Sequence, residues 1–370
     1  MQIWQDPQWP IFTWDQSKLM ALLAATRHEQ GRLLGRMEAL GLRLREEATL
    51  STLTQDVVKS SEIEGEILDS VQVRSSLARR LGIDIGALAP ADRHVEGIVE
   101  MTLDATQNRD AALTVDRLFA WHGALFPTGR SGMSKLRVGI WRDDASGPMQ
   151  VVSGPIGRET VHFTAPPAAR LDNEIASFLL WLEREQALDG VLKAGVAHLW
   201  FVTIHPFEDG NGRIARAIAD MVLARAERSG RRFYSMSSQI RQERKDYYDL
   251  LERTQKASLD ITDWLEWFLG CLSRAIAGAQ GSLETVTGKA KFWQRHSGVA
   301  LNERQIKVLN LMLDGFDGKL TSSKWAKLTK CSQDTAARDI ALLVERGILR
   351  KGPSGGRSTS YDLADPRSTD

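Results

Sequence analysis

The sequence predicts a mainly α-helical protein with one short β-hairpin and a separate basic domain at its C-terminal end. Three observations carry that expectation. Stretches rich in Ala, Leu, Arg and Glu recur with helical spacing through most of the 370 residues. In the body of the chain, short runs of β-type residues are confined to 148–164. From Lys289 onward, fifteen Lys and Arg stand against nine Asp and Glu, so that segment carries +6 and the remainder −5.

Three domains are expected, over residues 1–80, 81–288 and 289–370. Residues 1–14 read as an extended aromatic segment in which Trp4, Trp9, Phe12 and Trp14 alternate with Pro7 and Pro10, rings suited to packing across a helical body. Asp15 is positioned to cap a long helix over 17–47. Further helices are expected over 92–108 and 115–125. The runs 148–153 and 160–164 flank Gly154, Pro155, Ile156 and Gly157 and read as a hairpin, closed by Pro166 and Pro167, which cannot donate to a ladder.

Residues 205–216 concentrate the chemistry. Residues 194–204 read as a buried helix, and Ile214, Ile218, Met221 and Val222 mark one apolar face of the next. Between them lie His205, Pro206, Phe207, Glu208, Asp209 and the turn Gly210, Asn211, Gly212, followed by Arg213 and Arg216. Two glycines supply the backbone freedom a tight turn needs. The unpaired N–H groups at the start of a helix form an anion site. Arg213 and Arg216 are three apart and project on one face toward the same anion. The arrangement suits a polyphosphate.

This stretch matches every defined position of HxFx(D/E)GNGRxxR, and so resembles the signature of Fic proteins. The resemblance covers most of residues 1–288. Gly212 stands where the related Doc branch carries Lys, which argues against that branch's kinase-like chemistry. The resemblance implies a Fic-type helical bundle with a β-hairpin flap, and transfer of AMP from ATP to a Tyr, Thr or Ser hydroxyl of a target protein. His205 would be the general base and Asp209 would hold Mg²⁺. Gly210, Asn211 and Gly212 would bind the α-phosphate, while Arg213 and Arg216 clamp the leaving diphosphate. Phe207 is expected to face inward and anchor the loop, Pro206 to fix the backbone after the base, and Glu208 to be solvated.

Ser60, Ser61, Glu62, Ile63, Glu64 and Gly65 resemble the family's inhibitory pattern (S/T)xxxE(G/N). Ser60 and Glu64 lie one helical turn apart, and Gly65 can end the helix. The resemblance implies that Glu64 reaches Arg216 and blocks productive placement of the γ-phosphate. The alternative is that Glu64 belongs to a solvated face with Glu62 and Glu66. In the flap, Val161, His162, Phe163, Thr164 and Ala165 form the candidate edge for docking a target segment by strand addition. Tyr247 and Tyr248 resemble positions near the nucleotide base, although adjacent tyrosines on a helix cannot both face the site. Trp264, Trp267 and Phe268 have the spacing of a packed helix face.

In the tail, Ile306, Leu309, Leu311 and Leu313 are expected to open a helix ending near Gly315. Ser322 would cap a second helix reaching Lys330, and Ser332 a third reaching Glu345. Ala336, Ile340, Leu343 and Val344 would form the buried face of the third. A strand from Gly347 and a return through Ser358 to Leu363 would follow, turning at Pro353, Ser354, Gly355 and Gly356. This looks like a winged helix-turn-helix domain, with Gln333, Thr335 and Arg338 exposed on the recognition helix and Lys351 and Arg357 on the wing, facing either DNA or a protein.

Two distant cysteines, Cys271 and Cys331, support neither a disulfide framework nor a zinc site. The N-terminus shows no signal peptide and no apolar run spans a membrane, so a cytoplasmic protein is expected. The partners implied are ATP, a target hydroxyl, the chain itself through self-modification, and DNA through 289–370, with a homodimer left open. Removal of AMP, transfer of another phosphate-linked group, and a nucleotide-sensing DNA-binding regulator are the alternatives.

Overall fold

A computed structural model of the chain describes every residue outside 86–87, 156, 314–318, 353–358 and 365–370, with the backbone alone at 282, 284–286 and 290. The described residues fall into two compact units, Met1–Gln280 and Gly281–Asp370. Residues 1–80 are not set apart from the body that follows.

The first unit runs through α1 (Gln16–Glu38), α2 (Leu42–Ile63), α3 (Ser70–Leu81), α4 (Arg93–Gln107) and α5 (Val115–Leu125). Two antiparallel pairs follow, β1 (Arg130–Ser131) with β2 (Ser134–Lys135) and β3 (Gln150–Ser153) with β4 (Thr160–Thr164). Then come α6 (Leu171–Arg184), α7 (Gly190–Ile204), α8 (Asn211–Glu227), α9 (Met236–Gln242), α10 (Arg244–Gln255) and the start of α11 (Thr262–Arg295), whose residues from Gly281 belong to the second unit. At its centre lies α7, buried at every position except Gly190 and Lys193, as expected of a helix that is apolar all round. α8 packs along it. Gly195 lets α11 approach, since a Cβ there would press against Leu265 and Phe268 at 3.0–3.2 Å.

Asp15 caps α1 by accepting from the Lys18 N–H, but the expected helix over 17–47 is two helices. The break falls at Ala39–Gly41, after Gly31 and Gly35 have already weakened helical propensity. α2 then packs against α9 and α3, which ties the N-terminal residues into the body. The N-terminal segment contains a 3₁₀ turn at Ile3–Gln5 instead of being extended throughout. Trp9 and Phe12 meet Trp200 edge-on at 6.2 and 5.8 Å between ring centroids. Trp264 and Phe268 are buried, Trp267 half-buried.

The second unit contains α12 (Glu303–Leu313), α13 (Ser322–Thr329), α14 (Gln333–Glu345) and the antiparallel pair β5 (Leu349–Lys351) and β6 (Tyr361–Leu363). Val308, Leu309, Trp325, Ala336, Ile340, Leu343 and Ile348 form its core. In α12, Ile306 and Leu311 are exposed, and the buried face is Gln305, Val308 and Leu309. One expectation needs correction: Thr321, not Ser322, caps α13. Ser332 caps α14 as expected. Ile156, Gly315, the turn at Pro353, Ser354, Gly355 and Gly356, and Arg357 and Ser358 lie outside the described residues.

Candidate active site

α7 ends at Ile204, and His205 takes a left-handed conformation, φ 52° and ψ 58°. Such a conformation is uncommon for a residue with a Cβ and marks a place the surroundings must enforce. Gly210, at φ 84°, opens α8 as its N-cap. Between them the loop is held by its own side chains. The Asn211 amide accepts from the Phe207 N–H at 3.0 Å and donates to the Phe207 carbonyl at 2.8 Å. Phe207 is fully buried, stacked on His122 at 4.1 Å with the rings 6° from parallel and flanked by Trp141. Asn211 is therefore committed to the loop, and its side-chain amide is not turned toward an anion.

His205 is half-buried. Its Nδ1 lies 3.2 Å from the Val202 carbonyl. A carbonyl only accepts, so Nδ1 carries the proton and Nε2 presents a lone pair. Desolvation lowers the pKa of His205 to about 4, with the Arg142 charge adding in the same direction against opposing contributions from the Val202 carbonyl, Asp209 and Glu64. The ring is neutral at neutral pH.

The two arginines do not converge on one point. Arg216, 3% exposed, donates to the Ser60 hydroxyl and the Ser60 carbonyl, each at 2.9 Å, and to Glu64 Oε1 at 2.7 Å. Arg213 donates to Glu66 Oε2 at 2.8 Å and lies over the Phe126 ring. Glu66 in turn contacts His94. Glu64 ends α2, and Gly65 turns the chain at φ 86°, so the two carboxylates reach different arginines. A Cβ on Gly212 would collide with Glu64 Oε1, so the Glu64 carboxylate lies against the first turn of α8. Arg213 Nε and Arg216 Nη1 are buried without a hydrogen-bond partner among the described residues, donors that an anion could satisfy.

Tyr247 is core, its hydroxyl 2.9 Å from His198 Nε2. Tyr248 lies beside the site, with its hydroxyl 3.4 Å from Glu64 Oε2 and its ring under Arg244. Asp209 accepts from the Gly210 N–H at 2.6 Å and from the Ser131 hydroxyl at 2.5 Å. Glu208 is not simply solvated, since it accepts from the Arg137 N–H at 2.9 Å. The β1–β2 segment is thus fastened to the loop at two points, a role without any local sequence signal. Among the described residues no cluster of three or more His, Cys, Asp and Glu side chains is arranged to hold a metal. One half-buried carboxylate suits Mg²⁺ that arrives with a nucleotide, because Mg²⁺ keeps several waters and phosphate oxygens.

β4 pairs with β3 across a register shift between Val151 and Val152. Thr160 and Val161 are exposed, whereas Phe163 and Ala165 are buried, so the open part of the candidate docking edge is shorter than 161–165. His162 contacts Glu252 at 2.6 Å, and the Thr164 carbonyl accepts from Trp4 Nε1 at 2.7 Å.

Residues 112–223 match the Fic/DOC family. Residues 2–83 match a domain of unknown function, DUF4172. A crystal structure of a Fic family protein from Desulfovibrio desulfuricans superposes with a TM-score of 0.55 at 22% identity, over 98% of this chain and 99% of that one. A Fic domain containing signaling protein from Bacteroides thetaiotaomicron gives 0.52 at 20%, over 71% and 97%. The segment matching the Fic/DOC family thus lies within a mainly helical chain whose fold is similar to those of these Fic proteins. It is 39% identical over 61 residues to a probable protein adenylyltransferase of Aquifex aeolicus, covering 16% of this chain and 19% of that protein. It is 26% identical over 236 residues to a protein adenylyltransferase Fic of Culex quinquefasciatus, covering 60% and 40%. A uridine 5'-monophosphate transferase of Xanthomonas campestris is 30% identical over 128 residues, covering 31% and 22%. The chain thus spans less than half the length of these relatives.

Proposed function

We propose that the chain transfers AMP from ATP to a hydroxyl side chain of a protein, and that Glu64 holds it off. The observation that carries this reading is the neutral His205, with Nε2 free to accept, on the loop that leads into two arginines at the start of α8. The target hydroxyl oxygen bonds to the α-phosphorus, the bond from that phosphorus to the departing diphosphate breaks, and the hydroxyl proton passes to His205 Nε2. The Gly212 region of the α8 N-terminus receives the anionic oxygens. Arg213 and Arg216 hold the diphosphate once their carboxylates leave. Asp209 is the residue that would hold Mg²⁺, whose charge would offset that of the phosphates. Intact-protein and peptide mass spectrometry of the Glu64→Gly protein incubated with ATP and Mg²⁺ tests the reading, with an added AMP on a Ser, Thr or Tyr as the expected product. The likeness to a UMP transferase makes UTP the second nucleotide to try, with an added UMP redirecting the assignment.

Asp209→Ala should reduce metal-dependent transfer far more than metal-free nucleotide binding. Activity equal with and without added divalent metal would remove Asp209 from this role.

For the second unit, the element order and the exposed Gln333, Arg338 and Lys351 support a winged helix that contacts DNA. Thr335 contributes less, being half-buried with its hydroxyl on Ser332. DNA affinity should fall steeply with salt, and Arg338→Ala should weaken it. Anisotropy titrations without binding even at low salt would leave protein docking as this unit's role.

A further inference from the structure

We infer that Arg142 is a positioning residue that locks the backbone of His205 to the end of the flap strand β4, so that base and docking edge move as one. Arg142 is 3% exposed and lies in the irregular segment before β3. Its Nε donates to the His205 carbonyl at 2.7 Å and its backbone N–H to the Pro206 carbonyl at 3.0 Å. Its Nη2 donates to the Pro166 carbonyl at 2.6 Å, two residues beyond β4. Asp144 completes the strut, accepting from Arg142 Nη1 at 3.1 Å and from the Ala168 N–H at 2.6 Å.

The chemistry explains why an arginine stands there. α7 has ended, so the His205 and Pro206 carbonyls have no continuing helix to bond. His205 is also held in a left-handed conformation that is unfavourable for a residue with a Cβ. A guanidinium offers rigid donors in several directions at once, and here they reach two segments that α6 and α7 separate in sequence. Lysine has one freely rotating donor head and cannot reproduce that geometry. The same charge contributes to keeping His205 unprotonated.

The catalytic consequence rests on the reading of His205 as the base, whereas the mechanical coupling does not, and the test separates them. Hydrogen exchange is measured on the full chain for peptides covering 160–168 and 201–209, in the parent, Arg142→Lys and the milder Asp144→Asn. Both peptides should exchange faster together, more in Arg142→Lys than in Asp144→Asn. In a Glu64→Gly background, Arg142→Lys should lower the transfer rate on the order of 10²-fold, the scale of a misaligned reacting group. ATP affinity should change by less than about threefold, the split that marks lost alignment instead of lost binding. Faster exchange at 160–168 with 201–209 unchanged would overturn the inference. So would a transfer rate reduced no more than ATP binding. Labelling that persists in His205→Ala would instead sink the assignment of the base and leave the exchange result standing.

Discussion

Glu64→Gly is expected to raise self-labelling and target labelling from α-labelled ATP on the order of 10²-fold, the range over which poor alignment suppresses a bound reactant. The reason is local. Glu64 Oε1 sits 2.7 Å from Arg216 Nη2 and against Gly212, where a γ-phosphate and its neighbours would need room. ATP affinity should change less, since other contacts remain. Arg213 stays paired with Glu66 in that variant, so Glu64→Gly with Glu66→Gln should label faster than Glu64→Gly alone. Arg216→Ala should stay inactive in either background, because the clamp itself is gone. Removing Glu64 also strands a buried guanidinium, at a cost of about 1–3 kcal/mol for a lost charged partner. The apo variant should melt earlier and recover when ATP supplies the anion. Transfer that falls in Glu64→Gly would make Glu64 catalytic, and AMP removal the better reading.

His205→Ala should lower labelling by roughly 10²–10⁴-fold, the usual contribution of a general base, with ATP binding largely kept. The pH profile adds a second check. Burial pushes the pKa of His205 down to about 4, so the lone pair on Nε2 is available at neutral pH and is lost as pH falls toward that value. The His205-dependent part of the rate should therefore stay level through neutrality and decline only in clearly acidic buffer. Unchanged labelling in His205→Ala, or a decline centred on the ordinary histidine range, would remove it as the base.

The chain reads clearly where periodicity and turn chemistry act locally. α5, α7, α8 and the β3–β4 hairpin follow from apolar spacing and from glycines, whereas the contact of Glu64 with Arg216 is legible only through the resemblance of Ser60–Gly65 to the family's inhibitory pattern. What escaped depends on where distant segments meet. Glu66 looks like one acid among several, and its pairing with Arg213 requires the chain reversal at Gly65. Ser131, Arg137 and Arg142 carry no periodic or motif signal, yet all three fasten the loop 205–210. Asn211 was legible as a polar residue in an anion turn, but its side chain closes the loop onto Phe207. In the tail, the buried Gln305 breaks the apolar pattern of α12, so its inward face is not legible from Ile306 and Leu311.

On the proposed reading, Glu64, being in the same chain as Arg216 and 2.7 Å from it, would act as a tethered competitor. Its strength is set by an effective concentration that dilution cannot lower. A nucleotide lacking the γ-phosphate does not contest that position, so ADP and ATP should respond differently to the carboxylate. The off state would then be one of occupancy, with the loop 205–210 already built beneath it. Anything that holds α2 away from α8, even without touching the nucleotide, would release the candidate site ready-formed, with no folding step between signal and chemistry.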